Sequence, residues 1–598
     1  MELSLCMIVK NEENNLARCL ESVKDIVDEM IVVDTGSTDS TVEIAKSFGA
    51  NVYQHPWNGS FSDARNYSLK QAGGNWILIM DADDEMIEES RQAVRDLIKY
   101  SDADAYFFET LSYVGEKPGI DVLMNMNLRL LKNGKGYFFS NPIHEQIYSN
   151  ILALNPSAKI INKDIKIYHY GYLNKNISEH NKRARNIELL EKELKENPGF
   201  PFTLFNLGSE YLAMGDNIKA IGYFEESYKN FKPVDGFSTH LILKMVNCYI
   251  NLGKLDDALK LIDEGLGFYP EFTDLVYLEG LIKREKGNII QSIKLFQKCC
   301  EMGEAPIDCR VLIGAGTYKA SFMLGELFFC IEEYDAAVKS YLKCINQNSE
   351  YTMVLTNLVK ALYRSNKDKK CLKENIGALR KYQPEDFDTL VFNILIEEKA
   401  YDMALIYIKS YEKKSGISAY SKYNRGLCLM YLNKYKQAYR IMGQAKKDPE
   451  FLIRSVCMQA LIKDTESKFA EAATLLSGKE IDKDNTRIKV FSVLNNLLET
   501  SNLSVLCDDE KESGLYTDMI FEILKLLIAS YKFEIFEKSL GMLNSVSDST
   551  VLLKLAKLYF SEGYYSLAIT EFMRSIKIFD LIDTEGADML LQLKHKGL

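Results

Sequence analysis

The chain has 598 residues, 47% of them hydrophobic and 26% charged, with a formal net charge of −11. A length this far beyond a single hydrophobic core calls for two or more domains, and the acidic balance argues against a general binder of nucleic acid or anionic membrane. Twelve cysteines scattered from Cys6 to Cys507 contain no Cys-x-x-Cys pair, so they indicate neither a zinc site nor a disulfide framework and point to reduced thiols in a cytoplasm. In chain order, Met1 to Lys10 lacks the basic region and long apolar run of a signal peptide and reads as a first strand, Leu3 to Val9. Glu13 to Val23 carries Leu16, Cys19, Leu20 and Val23 at helical spacing, and Met30 to Val33 is a second strand. This alternation predicts a parallel, doubly wound α/β sheet. No stretch approaches the roughly 18 uninterrupted apolar residues of a membrane span.

The second strand stops at Asp34, and Asp34-Thr35-Gly36-Ser37-Thr38-Asp39 then places a carboxylate at a strand end, a glycine in the turn and hydroxyls at a helix start. Such a turn either caps the helix or leaves amides facing a ligand. A short apolar run, Asn75 to Met80, ends in Asp81-Ala82-Asp83-Asp84-Glu85. It reads as a strand buried on both faces, and the carboxylates fall at its C-terminal end, where open α/β sheets bind ligands. Carboxylates this close repel one another, so a divalent cation is the natural resident, and oxygen ligands suit Mg²⁺ or Mn²⁺. An acidic first turn of the following helix is the plainer alternative.

Taken together, Val9-Lys10-Asn11-Glu12, Asp34 to Asp39, Trp57-Asn58-Gly59-Ser60-Phe61-Ser62-Asp63-Ala64-Arg65-Asn66 and Asp81 to Asp84 resemble family 2 glycosyltransferases of GT-A fold, a Rossmann-like nucleotide-sugar domain. The likeness spans roughly the first third of the chain, and four motifs in order are far more specific than any one. The resemblance implies that Asn11 and Asp34 line the nucleotide pocket and that Arg65 lies near the diphosphate or the donor sugar, where the alternative is a surface ion pair with Asp63. It further implies that Asp81 contacts ribose or metal and that Asp83 is a ligand of Mn²⁺ or Mg²⁺. Pro142-Ile143-His144-Glu145 and Tyr168-His169-Tyr170-Gly171 resemble the family's later elements. Glu145 is there the first candidate for the base of an inverting transfer, with Asp84 and His144 in reserve, and His169 the candidate for a further metal ligand or diphosphate contact; His55 and His180 read as structural.

After Tyr172 the pattern becomes helical. Asn176 with Glu179 fits a capping box, and Asn197-Pro198-Gly199 stops the helix it opens. Beyond residue 200, Gly208, Tyr211, Gly215, Ala220 and Phe224 recur as Tyr249, Gly253, Ala258 and Ile262. Later copies stand at Gly280 and Phe296, Gly325 and Tyr341, Gly426 and Met442, and Gly563 and Phe572. The offsets are those of tetratricopeptide repeats, of period about 34 residues. Residues 370–400 and 450–545 match poorly, with a polar interruption at Ser501 to Ser513. The expected domains are therefore 1–175, GT-A-like; 176–200, a linking helix; and 201–598, an all-α TPR-like solenoid. A solenoid presents a concave surface that holds peptides or dimerises the protein.

The architecture is similar to bacterial glycosyltransferases acting on flagellin or bacteriocin peptides. The reading it implies is a cytoplasmic enzyme moving a sugar from a nucleotide donor, UDP-linked by resemblance, to a protein or peptide side chain, with neither nucleic acid nor a membrane span involved. The alternatives are a transferase building cell-surface glycan or lipopolysaccharide, and a repeat scaffold carrying an inactive transferase domain.

Overall fold

A computed structural model describes residues 2–115, 117–171, 173, 179–365, 368–383, 385–445, 451, 455, 458–459, 486–529 and 531–595. The start of the expected capping box, Asn176, lies outside them, as do the side chains of Glu179 and His180. The chain divides into two compact units, Met1–Lys367 and Asp368–Leu598.

In the first unit an eight-stranded sheet has the order β3-β2-β1-β4-β7-β6-β8-β5. Its strands are β1 (Leu3–Val9), β2 (Glu29–Asp34), β3 (Asn51–Gln54), β4 (Trp76–Ile79), β5 (Asp84–Met86), β6 (Ala105–Val114), β7 (Asp121–Lys132) and β8 (Ile160–His169). Only the β3-β2-β1-β4 half is wholly parallel; β7 runs antiparallel to β4 and β6, and β5 antiparallel to β8. The sheet is thus mixed, and the parallel expectation fails beyond β4 because β6 and β7 form a hairpin, which needs no crossover helix. Every residue of β4 is buried. Trp76, Leu78 and Met80 join Leu3, Leu5, Met7, Leu16 and Leu20 on one face, while Ile77 and Ile79 join Cys6, Ile31, Val33 and Leu69 on the other. Each such side chain contributes about 1.5–3 kcal/mol of burial, and the two-sided apolar pattern fixes the strand register. Because Val9 pairs with Asp34 and Cys6 with Ile79, the strand ends that carry the first, second and fourth motifs emerge at one sheet edge.

The helices α1 (Leu16–Val23), α2 (Thr41–Ser47), α3 (Phe61–Gln71), α4 (Glu88–Tyr100) and α5 (Tyr148–Leu154) cover the sheet. They are followed by α6 (Glu179–Glu196) and then by pairs: α7 (Pro201–Ala213) with α8 (Asn217–Tyr228), α9 (Ser238–Asn251) with α10 (Leu255–Phe268), α11 (Thr273–Glu285) with α12 (Ile289–Met302), and α13 (Tyr318–Cys330) with α14 (Tyr334–Gln347), before α15 (Val354–Ser365). The repeat signature has a direct packing cause. A Cβ on Gly208 would lie 2.5 Å from the Phe224 ring, and one on Gly325 would lie 2.3 Å from that of Tyr341, with Gly280 and Phe296 in the same relation. The glycine of the first helix receives the large side chain of the second, so the pair closes tightly.

The β6–β7 hairpin ties the sheet to these helices. Where β7 has left β4, residues 311–313 pair with it: Leu123 bridges Leu312, and Met124 N donates to Val311 O at 2.9 Å. The connection from α12 to α13 that carries this segment is held by Asp274, whose Oδ2 accepts from Val311 N (2.9 Å) and Leu312 N (2.6 Å). Farther out, Lys319 reaches Asp121 at 3.2 Å and Tyr318 donates to Ile120 O at 3.3 Å.

The second unit is helical among its described residues, and its pair Ala419–Tyr431 with Tyr435–Ala445 repeats the same device, Gly426 against Met442. Ser501 to Asp509 is irregular and is pinned where Cys507 bridges Val546; the helix Glu510–Ala529 begins before Ser513. Most of residues 450–485 lies outside the described chain.

Candidate functional site: an acid cluster braced by two arginines

At the shared sheet edge the loops after β1 and β2 are stitched together. Asn11 takes a left-handed backbone (φ 56); its Oδ1 accepts from Thr38 N at 2.8 Å, and its own N–H donates to Ser37 Oγ at 2.9 Å. Asp34, only 2% exposed, accepts from Ser37 N at 3.0 Å and so closes the turn that Gly36 (φ 111) makes possible. Both residues therefore shape the wall of the edge through their own side chains.

The carboxylates after β4 gather there with two arginines, Arg129 buried and Arg65 partly so. Arg65, on α3, donates to Asp81 Oδ1 at 2.6 Å and to Glu145 Oε1 at 2.5 Å. It does not pair with Asp63, which instead accepts from Asn58 (2.6 Å) and faces His55 (2.9 Å). Arg129, on β7 and 5% exposed, reaches Asp81 Oδ2 at 3.2 Å and Asp84 Oδ2 at 3.0 Å. Asp84 is fully buried; it also accepts from Asp81 N at 2.8 Å and faces His169 Nδ1 at 2.9 Å. Asp83 Oδ1 lies 3.4 Å from the same imidazole nitrogen. The antiparallel register of β5 and β8, which sets Asp84 opposite His169, creates this contact.

The electrostatics follow from burial and neighbours. Burial favours the neutral form of Asp81, but Arg65 and Arg129 overcome it and hold the carboxyl well below its usual range. Asp83 has no arginine: burial, with Asp84 and Asp81 adding like charge, lifts it to about 6 against the pull of His169. For His169 burial opposes protonation, yet Asp83, Asp84 and Asp81 together raise the imidazole to about 9.

Divalent-ion chemistry fits this donor set. Ligand atoms of Asp81, Asp84 and His169 all lie within 4.8 Å of one another. Beside them Gly171 keeps a space clear: a Cβ there would sit 2.5 Å from Asp83 Oδ2 and 2.7 Å from His169 Nε2. The carboxylate oxygens suit Mn²⁺ or Mg²⁺; with Asp81 and Asp84 engaged by Arg65 and Arg129, Asp83 beside His169 is the pair that could hold an ion.

Of the residues expected from sequence, Arg65, Asp81, Asp83, Asp84, Glu145 and His169 come together in this cluster, while Asn11 and Asp34 line the adjoining loops. Glu145 meets the cluster through Arg65, and Asp84 is enclosed by Arg129, His169 and a backbone amide. Sequence reasoning missed two participants. Arg129 was legible as the one charge inside Leu128-Arg129-Leu130-Leu131, and Gly171 as the glycine directly beyond Tyr168-His169-Tyr170.

Comparison with known proteins agrees with this arrangement: residues 4–155 match the sequence profile of glycosyl transferase family 2. These residues form a family 2 glycosyltransferase domain. A TPR repeat-containing protein of Synechococcus elongatus is 32% identical over 263 residues, 43% of this chain and 64% of the relative. The SPbeta prophage-derived glycosyltransferase SunS of Bacillus subtilis is 31% identical over 293 residues, 46% of this chain and 65% of the relative. The chain thus spans just under two thirds of the length of these curated relatives. Among solved structures, S. aureus TarS 1-349 in complex with UDP is 16% identical at a TM-score of 0.24, covering 42% of this chain and 81% of that one. A tetratricopeptide repeat protein from Parabacteroides merdae is 13% identical at a TM-score of 0.28, covering 44% and 99%. No helix among the described residues is long and apolar enough to cross a membrane.

Proposed function

We propose that the chain is a glycosyltransferase that moves a sugar, with inversion, from a UDP-linked donor to a side chain of a protein or peptide, and that it acts in the cytoplasm. The observation that carries this reading is the convergence of Asp81, Asp83, Asp84 and His169 at the end of β4, beside the Arg65–Glu145 pair. Asp83 and His169 would hold Mn²⁺ or Mg²⁺, with Asp81 and Asp84 bordering it; the bound ion would offset the charge that develops on a departing diphosphate. Arg65 offers a planar fork that suits phosphate oxygens, and Arg129 helps to hold the Asp81 carboxyl below its usual range and keeps Asp81 and Asp84 in place. Asn11 and Asp34, in the stitched loops, would meet the nucleotide. The helical repeats of the first unit, docked on β7, would present the acceptor.

The test is donor turnover: full-length protein with Mn²⁺ and a panel of UDP-sugars is expected to release UDP, and Asp83→Ala to abolish release. Absence of UDP from every donor, with cell lysate present as acceptor source, would contradict the reading. A radiolabelled donor separates acceptor classes, since label confined to lipid would refute a protein acceptor.

A further inference from the structure

A second charged cluster lies where the loop after β7 meets α6, α7 and α9, and it differs from the acid cluster in sign. Its centre is Glu210, on α7 and 8% exposed, which accepts from Arg183 at 3.3 Å and from Asn186 at 2.9 Å. Two further cations have no carboxylate of their own among the described residues. Lys244, on α9, donates to Ser209 Oγ at 2.7 Å and stands 4.8 Å from the Phe205 ring; no carboxylate of the described residues lies within 4.0 Å of its ammonium. Arg185, which is exposed, stands 5.4 Å from the Phe61 ring and, among the described residues, donates only to Asn186 at 3.1 Å. Glu210 is the carboxylate that all three cations feel.

His144 completes the cluster. It takes a left-handed backbone (φ 50), and its Nε2 is buried without a partner. Glu210, Glu145 and Lys244 are its charged neighbours. The next residue, Glu145, holds Arg65, so the cluster adjoins the proposed donor site directly. Burial pushes the Lys244 ammonium down to about 8 against the opposing pull of Glu210, and burial also lowers Arg185 and His144. A desolvated cation without a counter-ion is costly. The buried Lys244 ammonium and the orphaned imidazole nitrogen each call for an incoming anion, and the exposed Arg185 adds a second cation beside them.

We infer that His144, Arg183, Arg185, Glu210 and Lys244 form a subsite for a carboxylate that enters beside the donor, carried by an acidic acceptor side chain or by an acidic donor sugar. Its position beside a donor rests on the glycosyltransferase reading above; its charge does not. Lys244 and Arg185 supply the ion pairs, and Glu210 keeps Arg183 and Asn186 in place so that the anion is shared between fixed donors.

Binding of two matched pairs of probes to the full-length protein tests this: UDP-glucuronate against UDP-glucose, each with Mn²⁺, by titration calorimetry, and serine- or cysteine-containing peptides with flanking Glu against the same peptides with Gln, by fluorescence anisotropy. Wild type is expected to prefer the carboxylate-bearing member of one pair by at least tenfold, and Lys244→Met and the exposed Arg185→Gln are each expected to erase that preference while UDP binds as before. A preference within the nucleotide pair assigns the carboxylate to the donor; one within the peptide pair assigns it to the acceptor. No preference in either pair, or one that survives both substitutions, overturns the subsite. Weakened binding of UDP itself in the variants also overturns it, because the cations would then serve the diphosphate. Wild type that keeps the peptide preference but fails to bind UDP with Mn²⁺ leaves the subsite standing and refutes the donor reading alone.

Discussion

Replacing Arg129 with Met removes a cation from the centre of the acid cluster while keeping most of its volume. The guanidinium spans Asp81 and Asp84 at 3.2 and 3.0 Å, and Asp84 has no exposed surface, so the variant leaves a buried carboxylate with only His169 and the Asp81 amide for partners. Breaking one side of a buried pair costs about 3–5 kcal/mol. Spread over the 367 residues of the first unit, at an unfolding entropy of about 2 cal/mol/K per residue, this is a fall of about 4–7 °C in melting temperature. Differential scanning calorimetry of the full chain reads it directly. The variant cluster carries one more uncompensated negative charge, so Mn²⁺ is expected to raise its melting temperature more than that of wild type. A variant that melts within about 1 °C of wild type and responds identically to Mn²⁺ would refute the role given to Arg129.

Asp274 gives a pH signature. Burial lifts its carboxyl to about 7, with Glu304 adding to the rise and the amides of Leu312 and Val311 opposing it. A carboxyl raised on folding contributes stability that is full below its unfolded value and lost as pH climbs through the folded one. Wild type is therefore expected to lose up to about 4 kcal/mol relative to Asp274→Asn between pH 4 and 7, in parallel denaturant titrations; equal slopes for the two proteins would exclude this. Gly325→Ala is expected to destabilise by about 1–3 kcal/mol, since its methyl would meet the Tyr341 ring at 2.3 Å. Gly377→Ala meets nothing within 4 Å and serves as the control; equal losses in the two would refute the helix-pair packing.

Much of this molecule was legible because chemistry and periodicity coincide. The apolar run before Asp81 needs burial on both faces and has it, and the helix glycines Gly208, Gly280 and Gly325 mark where a ring enters. What sequence could not supply was pairing at long range. The hairpin that turns the sheet from parallel to mixed is written in Ala105 to Lys132 as two apolar runs, but nothing local says that β7 inserts between β4 and β6. The same holds for Arg129, Glu145 and His169. The residue types of Glu145 and His169 invited roles and that of Arg129 did not, and the partners of all three depend on strand register and on the loop after β7. Lys244 and Glu210 were invisible for a further reason: on amphipathic helices a charge reads as solvated, and only the packing of α7 and α9 against the 140s loop withdraws the water.

The most direct test of the metal-centred account is anomalous diffraction at the manganese edge from crystals grown with Mn²⁺ and UDP. The expected result is a single strong peak within ligand distance of Asp83 and His169, bridged to the diphosphate, with Arg129 still on Asp81 and Asp84. Nucleotide bound elsewhere, or manganese absent from this cluster while Asp83 and His169 remain as they are here, would contradict it.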